Sequence, residues 1–194
     1  MKKSLFISMI LSIIGFLLLS PVFSQLLSYL HPLVLLVVFL CIVFIIFFLV
    51  LLIRKQSLTL PYSLFLILFV LYTIFLLVLL FIRPNDQSYN SLNLVPFSTI
   101  SLYLSGKVNG LVSFYNLAAN IGLFIPFGIY LQESRYSNWN LIIIPIGGIS
   151  FIEVLQFITH RGSLDIDDLV LNTLGVFLGY LLYPLFNRVI TIKY

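Results

Sequence analysis

Charge is what this sequence has least of. Only 8% of its 194 residues are Asp, Glu, Lys or Arg, against about 25% in an ordinary soluble domain. A surface so poor in charge is not stable in water, and 61% of the residues are hydrophobic, so the implied solvent is lipid. The net charge of +4 is spread without a basic run, which gives no reason to expect a nucleic-acid partner. The single cysteine, Cys41, cannot form an internal disulfide and has no companion for a CxxC or zinc spacing. Inside its apolar run it reads as a small packing residue. Catalytic signatures are missing too: there is no HExxH, no GxSxG and no phosphate-binding P-loop. His31 precedes Pro32 in a short connection and reads as an interfacial residue.

What is present is a series of long apolar stretches. A spanning helix needs roughly 20 apolar residues. Leu5–Leu27, Leu33–Ile53, Tyr62–Ile82, Asn116–Leu131, Leu141–Thr159 and Leu169–Phe186 come near that length. The expected fold is therefore all-α, a polytopic membrane bundle of about six transmembrane helices. The fourth stretch is short and carries Pro126 and Gly128, which predicts a kink or a tilt. The N-terminal stretch, behind Lys2 and Lys3, resembles a signal peptide. Its apolar character runs on to Tyr29 and Leu30, so it reads as a retained anchor. Placing the N-terminus inside puts Lys2, Lys3, Arg54, Lys55, Arg135, Arg188 and Lys193 in the cytoplasm and leaves Arg83, Lys107 and Arg161 outside. That asymmetry satisfies the positive-inside rule with both termini cytoplasmic.

Most connections are short, including the turn-like segments from Arg54 to Pro61 and from Glu133 to Asn140. The exception runs from Arg83 to Tyr115. Its apolar content around 92–104 predicts a re-entrant or interfacial segment rather than a structureless loop. The orientation places this segment and the turn after the fifth span on the same, extracytoplasmic side.

Ionisable and amide residues concentrate there. Glu153, Gln156 and His160 lie on one helical face, within about 60° of one another. Asp168, Asn172, Gly175 and Gly179 share a face of the last span. Intramembrane charges cost about 2.5–3.5 kcal/mol each on insertion scales, so they are kept for function or hidden in pairs. Two glycines at i, i+4 let another backbone approach. Between the faces, Gly162 allows a tight turn, and Ser163 or Asp165 can cap the following helix. Carboxylates in a first helical turn also suit the helix dipole; Asp167 reads as solvated surface. In the fourth span Asn120 needs a partner, and Pro126 frees a carbonyl near Gly122.

Four motifs in order carry a family resemblance. They are Asn93-Leu-Val-Pro-Phe97, Asn120-Ile-Gly-Leu-Phe-Ile-Pro-Phe-Gly128, Glu153-Val-Leu-Gln156 and Arg161-Gly-Ser-Leu-Asp165-Ile-Asp-Asp168-Leu-Val-Leu-Asn172-Thr-Leu-Gly175. Together they resemble the VanZ-like family, that of the teicoplanin-resistance accessory membrane protein. The resemblance runs from about Tyr62 to Phe186. It implies residues 62–194 as one VanZ-like membrane domain, with 1–61 as an N-terminal two-helix part, in a bacterial plasma membrane. It supplies no catalytic residues.

The residues leave three readings open. In the first, Asn93, Asn120, Glu153, Gln156, Arg161, Asp165, Asp168 and Asn172 form an extracytoplasmic-facing site for a lipid-linked cell-wall precursor or a lipoglycopeptide. In the second, Glu153, His160 and Asp168 provide acid–base chemistry on a lipid head group. In the third, the polar stripe only holds helices together or binds a partner protein. No cofactor or metal is expected, although oxygen ligands from Glu153, His160 and Asp168 are of the type that holds Mg²⁺.

Overall fold

A computed structural model describes residues 2–26, 33–81 and 92–194. His31 and Arg83, read above as an interfacial residue and an outward-facing charge, lie outside the described residues. The chain divides into two compact units. The first comprises Met1–Leu68 with Leu185–Tyr194, and the second Phe69–Pro184.

In the first unit, α1 (Lys2–Leu18) and α2 (Ser20–Leu26) precede α3 (Leu33–Ile53). The N-terminal apolar stretch is thus interrupted at Leu19. One face of α1 carries Ser4, Ser8 and Ser12, all buried, at the i, i+4 spacing that stacks residues along a helix. Small residues let helices approach closely where lipid offers no hydrophobic drive for association. Their hydroxyls are satisfied inside the protein. Ser8 donates to the Leu5 carbonyl, Ser12 to the Ser8 carbonyl, and Ser4 to Gln56 Oε1 at 2.6 Å. Phe16 of α1 meets Phe39 of α3 edge-on, with ring centroids 5.1 Å apart. Strand β1 (Leu58–Pro61) pairs in parallel with the C-terminal β4 (Ile190–Lys193), Leu58 opposite Ile190 and Pro61 opposite Lys193. This small sheet lies where the sequence predicts a simple turn, because the ends that pair are far apart along the chain.

The second unit contains the C-terminal part of α4 (Tyr62–Phe81), then β2 (Leu92–Asn93), α5 (Ser98–Leu104), α6 (Gly110–Gly122), α7 (Ile125–Glu133), α8 (Asn138–Ile158), β3 (Leu164–Asp165) and most of α9 (Ile166–Val189). Four helical stretches are long and apolar enough to cross a membrane: Tyr62–Phe81, Gly110–Glu133, Asn138–Ile158 and Ile166–Val189. Val38–Ile53 is a shorter apolar segment. Only 33% of even the most enclosed of the four is buried, so their apolar side chains mostly point outward, as lipid requires and water forbids. This is a helical membrane protein.

The fourth span begins at Gly110, six residues before the expected Asn116. Asn109 caps α6 by accepting the Leu111 N–H at 2.9 Å, a start signal within the supposed loop. The expected kink is a break between α6 and α7, with Pro126 in the first turn of α7. There the Tyr72 hydroxyl donates to the Leu123 carbonyl at 2.6 Å, one residue beyond the Gly122 carbonyl that Pro126 opens. Pro145 inside α8 likewise removes the N–H that would have bonded the Leu141 carbonyl. The Tyr180 hydroxyl supplies that bond from α9 at 2.6 Å.

The glycine face of α9 meets this break. A Cβ at Gly179 would overlap the Ile125 carbonyl oxygen and sit 2.8 Å from Gly128 Cα. A Cβ at Gly128 would overlap the Val176 carbonyl oxygen, and one at Gly175 the Ile121 carbonyl oxygen. Close approach of backbones, read from the i, i+4 glycines, is what the structure has. Leu76, Leu80, Phe124, Leu131, Ile149 and Val176 form the core around it.

Gly128→Ala is expected to destabilise the protein by about 1–3 kcal/mol, the usual range for overpacking. Gly147→Ala, where a Cβ meets nothing within 4 Å, should be neutral or slightly stabilising. Thermal unfolding in detergent, with membrane abundance alongside, checks the contrast.

Candidate functional site

The polar residues singled out in the sequence assemble at the N-terminal end of α9 in two clusters. The first ties the segment around 92–104 to the turn before α9. β2 pairs in parallel with β3, Asn93 opposite Asp165. The Asn93 amide nitrogen lies 2.7, 2.8 and 3.2 Å from Ser98 Oγ, Thr99 Oγ1 and Asp165 Oδ2, and shares its two hydrogens among them. The Thr99 hydroxyl donates to Asp165 Oδ2 at 2.6 Å. The other oxygen of Asp165 accepts the Asp167 N–H at 2.9 Å, so Asp165, rather than Ser163, caps α9.

Asp167 departs from the sequence reading. It is 0% exposed, not solvated surface. Its Oδ1 accepts the Phe97 N–H at 2.6 Å, and its Oδ2 accepts those of Thr99 and Ile100 at 2.8 and 3.1 Å. These are open donors at the start of α5, whose own N-cap residue, Phe97, gives no side-chain cap and sits at φ 64°. A carboxylate at a helix N-terminus also suits the dipole. This clamp was not visible in the sequence because α5 lies about seventy positions away. The Ser98-Thr99 pair opening a helix after Pro96-Phe97 was the one available signal.

The clamped segment carries outward-facing apolar side chains: Leu92, Leu94, Val95, Phe97 and Leu104 are all exposed. These side chains form an apolar surface on the segment that Asp165 and Asp167 hold.

The second cluster lies further along α9. The Asn120 amide of α6 donates to Asp168 Oδ1 at 2.5 Å. One turn on, the Asn172 amide lies 3.5 Å from Glu153 Oε1 of α8. Glu153 is 6% exposed and Asn172 4%. Asn172 Oδ1 is buried and has no hydrogen-bond partner among the described residues, an arrangement that native proteins rarely leave unused.

Gln156 keeps the face that helical spacing gives it, buried with Glu153, whereas His160 does not. The buried Gln156 amide donates to the Leu80 carbonyl at 3.0 Å, in the last turn of α4, where carbonyls have no intrahelical partner. His160 is exposed because α8 ends at Ile158 and helical spacing stops applying. His160 sits at φ 55° and closes a C-terminal turn: the Arg161 and His160 N–H groups bond the Gln156 and Phe157 carbonyls at 2.8 and 3.1 Å. The left-handed residue is thus His160, and Gly162 serves a close approach, since its Cβ would lie 3.0 Å from Gln156 Cβ. Arg161 is half-buried beside this turn. Among the described residues no three His, Cys, Asp or Glu side chains are grouped to hold a metal ion. Glu133, read as part of a turn, is buried and accepts the Tyr183 hydroxyl at 2.8 Å.

A family model described as VanZ/LLP1 matches residues 69–187. A similar protein is Protein VanZ from Enterococcus faecium, 34% identical over 101 residues, or 50% of this chain. The chain covers about half of that relative's length, 55%. No solved structure matches.

Asp167→Ala would leave buried backbone donors open and should cost roughly 3 kcal/mol or more, given about 1–3 kcal/mol for each unsatisfied group. Hydrogen exchange should rise across 93–104 well before it rises in α8. Thr99→Val, which loses one hydroxyl bond, should produce a much smaller change.

Proposed function

The chain belongs to the VanZ/LLP1 family, and we propose that it is a multi-pass protein of a bacterial plasma membrane that lowers susceptibility to a lipoglycopeptide such as teicoplanin. In this reading α1–α2 and α3 also cross the bilayer. That gives six spans with both termini cytoplasmic, and the N-terminal end of α9 faces outward. The division of Lys and Arg between the two sides supports that orientation.

The polar site binds the head group of a lipid-linked cell-wall precursor or of the lipoglycopeptide itself. The observation that carries this is the Glu153–Asn172 pair: a carboxyl and an amide buried together between two apolar helices, with Asn172 Oδ1 open to a donor. A purely structural pair would be expected to exhaust its hydrogen-bonding capacity inside the protein. Asn120, Asp168 and Arg161 flank the pair along the same end of α9 and supply donors, acceptors and a positive charge. Asn93 and Asp165 act at one remove, by holding the apolar 92–104 segment at the interface where a lipid-anchored ligand would arrive. Gln156 positions α8 through its bond to Leu80.

Deleting the gene should increase teicoplanin susceptibility, and the intact chain should restore the original level. Asn172→Leu should be present in the membrane at near-normal amount and fail to restore it. Full restoration by Asn172→Leu would overturn the site. Loss of both abundance and phenotype in Asn172→Leu and in the milder Glu153→Gln would favour a packing role instead.

A further inference from the structure

Away from the polar clusters, α4, α7, α8 and α9 line a half-open cavity of about 300 Å³. Its walls include Phe69, Phe127, Tyr130, Ile149, Ile152 and Val176, all within the second unit. Apolar cavities of about 150 Å³ take up a molecule the size of benzene and stay dry. This one is about twice as large, at the lower end of ordinary ligand sites. Water would find too few polar partners there. The aromatic walls are ordered: the Phe69 and Tyr130 rings stack with centroids 3.8 Å apart, and Phe127 meets Phe69 edge-on at 5.2 Å.

The cavity borders the lipid-facing side of α8. Ile144, which lines it, is 42% exposed, and Gly148, which also lines it, is exposed. Gly148 puts no side chain into the space it lines, and a Cβ there would meet nothing within 4 Å. At one end stands Tyr136, 41% exposed, in the turn between α7 and α8. Arg135 precedes it, exposed and at φ 52°. Its guanidinium has no protein hydrogen bond or ion pair among the described residues. Trp139, 74% exposed, follows in the first turn of α8, the type of residue that settles at head-group level.

We infer that this cavity holds one acyl chain of an anionic glycerophospholipid, which enters from the bilayer beside Gly148 and places its head group at Arg135. The occupant follows from the surroundings: hydrocarbon chains are the solvent of these helices, the walls are mostly apolar, and the turn at the cavity's end carries a positive charge without a protein partner among the described residues. The inference does not depend on the polar site proposed above, which involves other residues.

The test uses the full chain in vesicles containing phosphatidylglycerol with a photoreactive group at the end of one acyl chain. Labelling of Phe127, Tyr130 and Ile149 should exceed that of the outward-facing Leu181 (75% exposed) by roughly tenfold, as expected for a bound rather than a passing chain. Gly148→Leu, which fills the space, should bring the lining residues down to the level of Leu181. Gly147→Leu, its neighbour outside the cavity, should not. Equal labelling of lining residues and Leu181 in the unaltered protein overturns the inference without any variant, as does undiminished labelling in Gly148→Leu. A phosphatidylcholine probe should label the cavity more weakly, and Arg135→Gln should abolish that difference. Equal labelling by both probes would overturn the assignment of an anionic head group.

Discussion

Where a helix is interrupted within a bilayer, the backbone groups it leaves open find no water, and the protein itself must supply their partners. Four side chains meet this demand in the second unit. Tyr72 answers the break between α6 and α7 at Leu123, and Tyr180 answers Pro145 at Leu141. Gln156 takes the Leu80 carbonyl near the end of α4. Asp167 takes three N–H groups at the start of α5. Each joins elements that are distant in sequence, so the bonds that make the interruptions tolerable also fix how the helices are arranged.

The interruptions have structural uses. The break at Leu123 and Phe124 lets α6 and α7 follow the glycine face of α9, where backbone meets backbone without intervening side chains. That approach brings Asn120 to Asp168, and on the other flank Asn172 to Glu153. The candidate site is a consequence of α9 being narrow on one side and polar at one end. The first unit solves its packing by related means, with buried serines in place of glycines along α1.

The acidic residues near the start of α9 divide their labour. Asp165 and Asp167 are occupied by the protein's own donors and hold the 92–104 segment in place. Asp168 reaches in a different direction, toward Asn120 of α6. Three carboxylates within four positions therefore serve two different regions, because successive residues of a starting helix point about 100° apart. Reading them as one acidic patch would have merged an anchoring device with the candidate site.

The lipid environment, the helical fold, the kink near Pro126 and the family were legible in the sequence. They follow from apolar run length, from proline's missing N–H and from motifs in order, all local properties. The stripe of Glu153 and Gln156, and the close approach at Gly175 and Gly179, were legible for the same reason: spacing on a regular helix fixes which side chains share a face. The same reasoning misplaced His160, because the helix stops two residues earlier. It missed the burial of Asp167, the serine packing of α1 and the pairing of β1 with β4. Whether a carboxylate meets water or three backbone N–H groups depends on which distant segment folds over it. Tertiary structure alone decided that, since no local pattern records a partner seventy residues away.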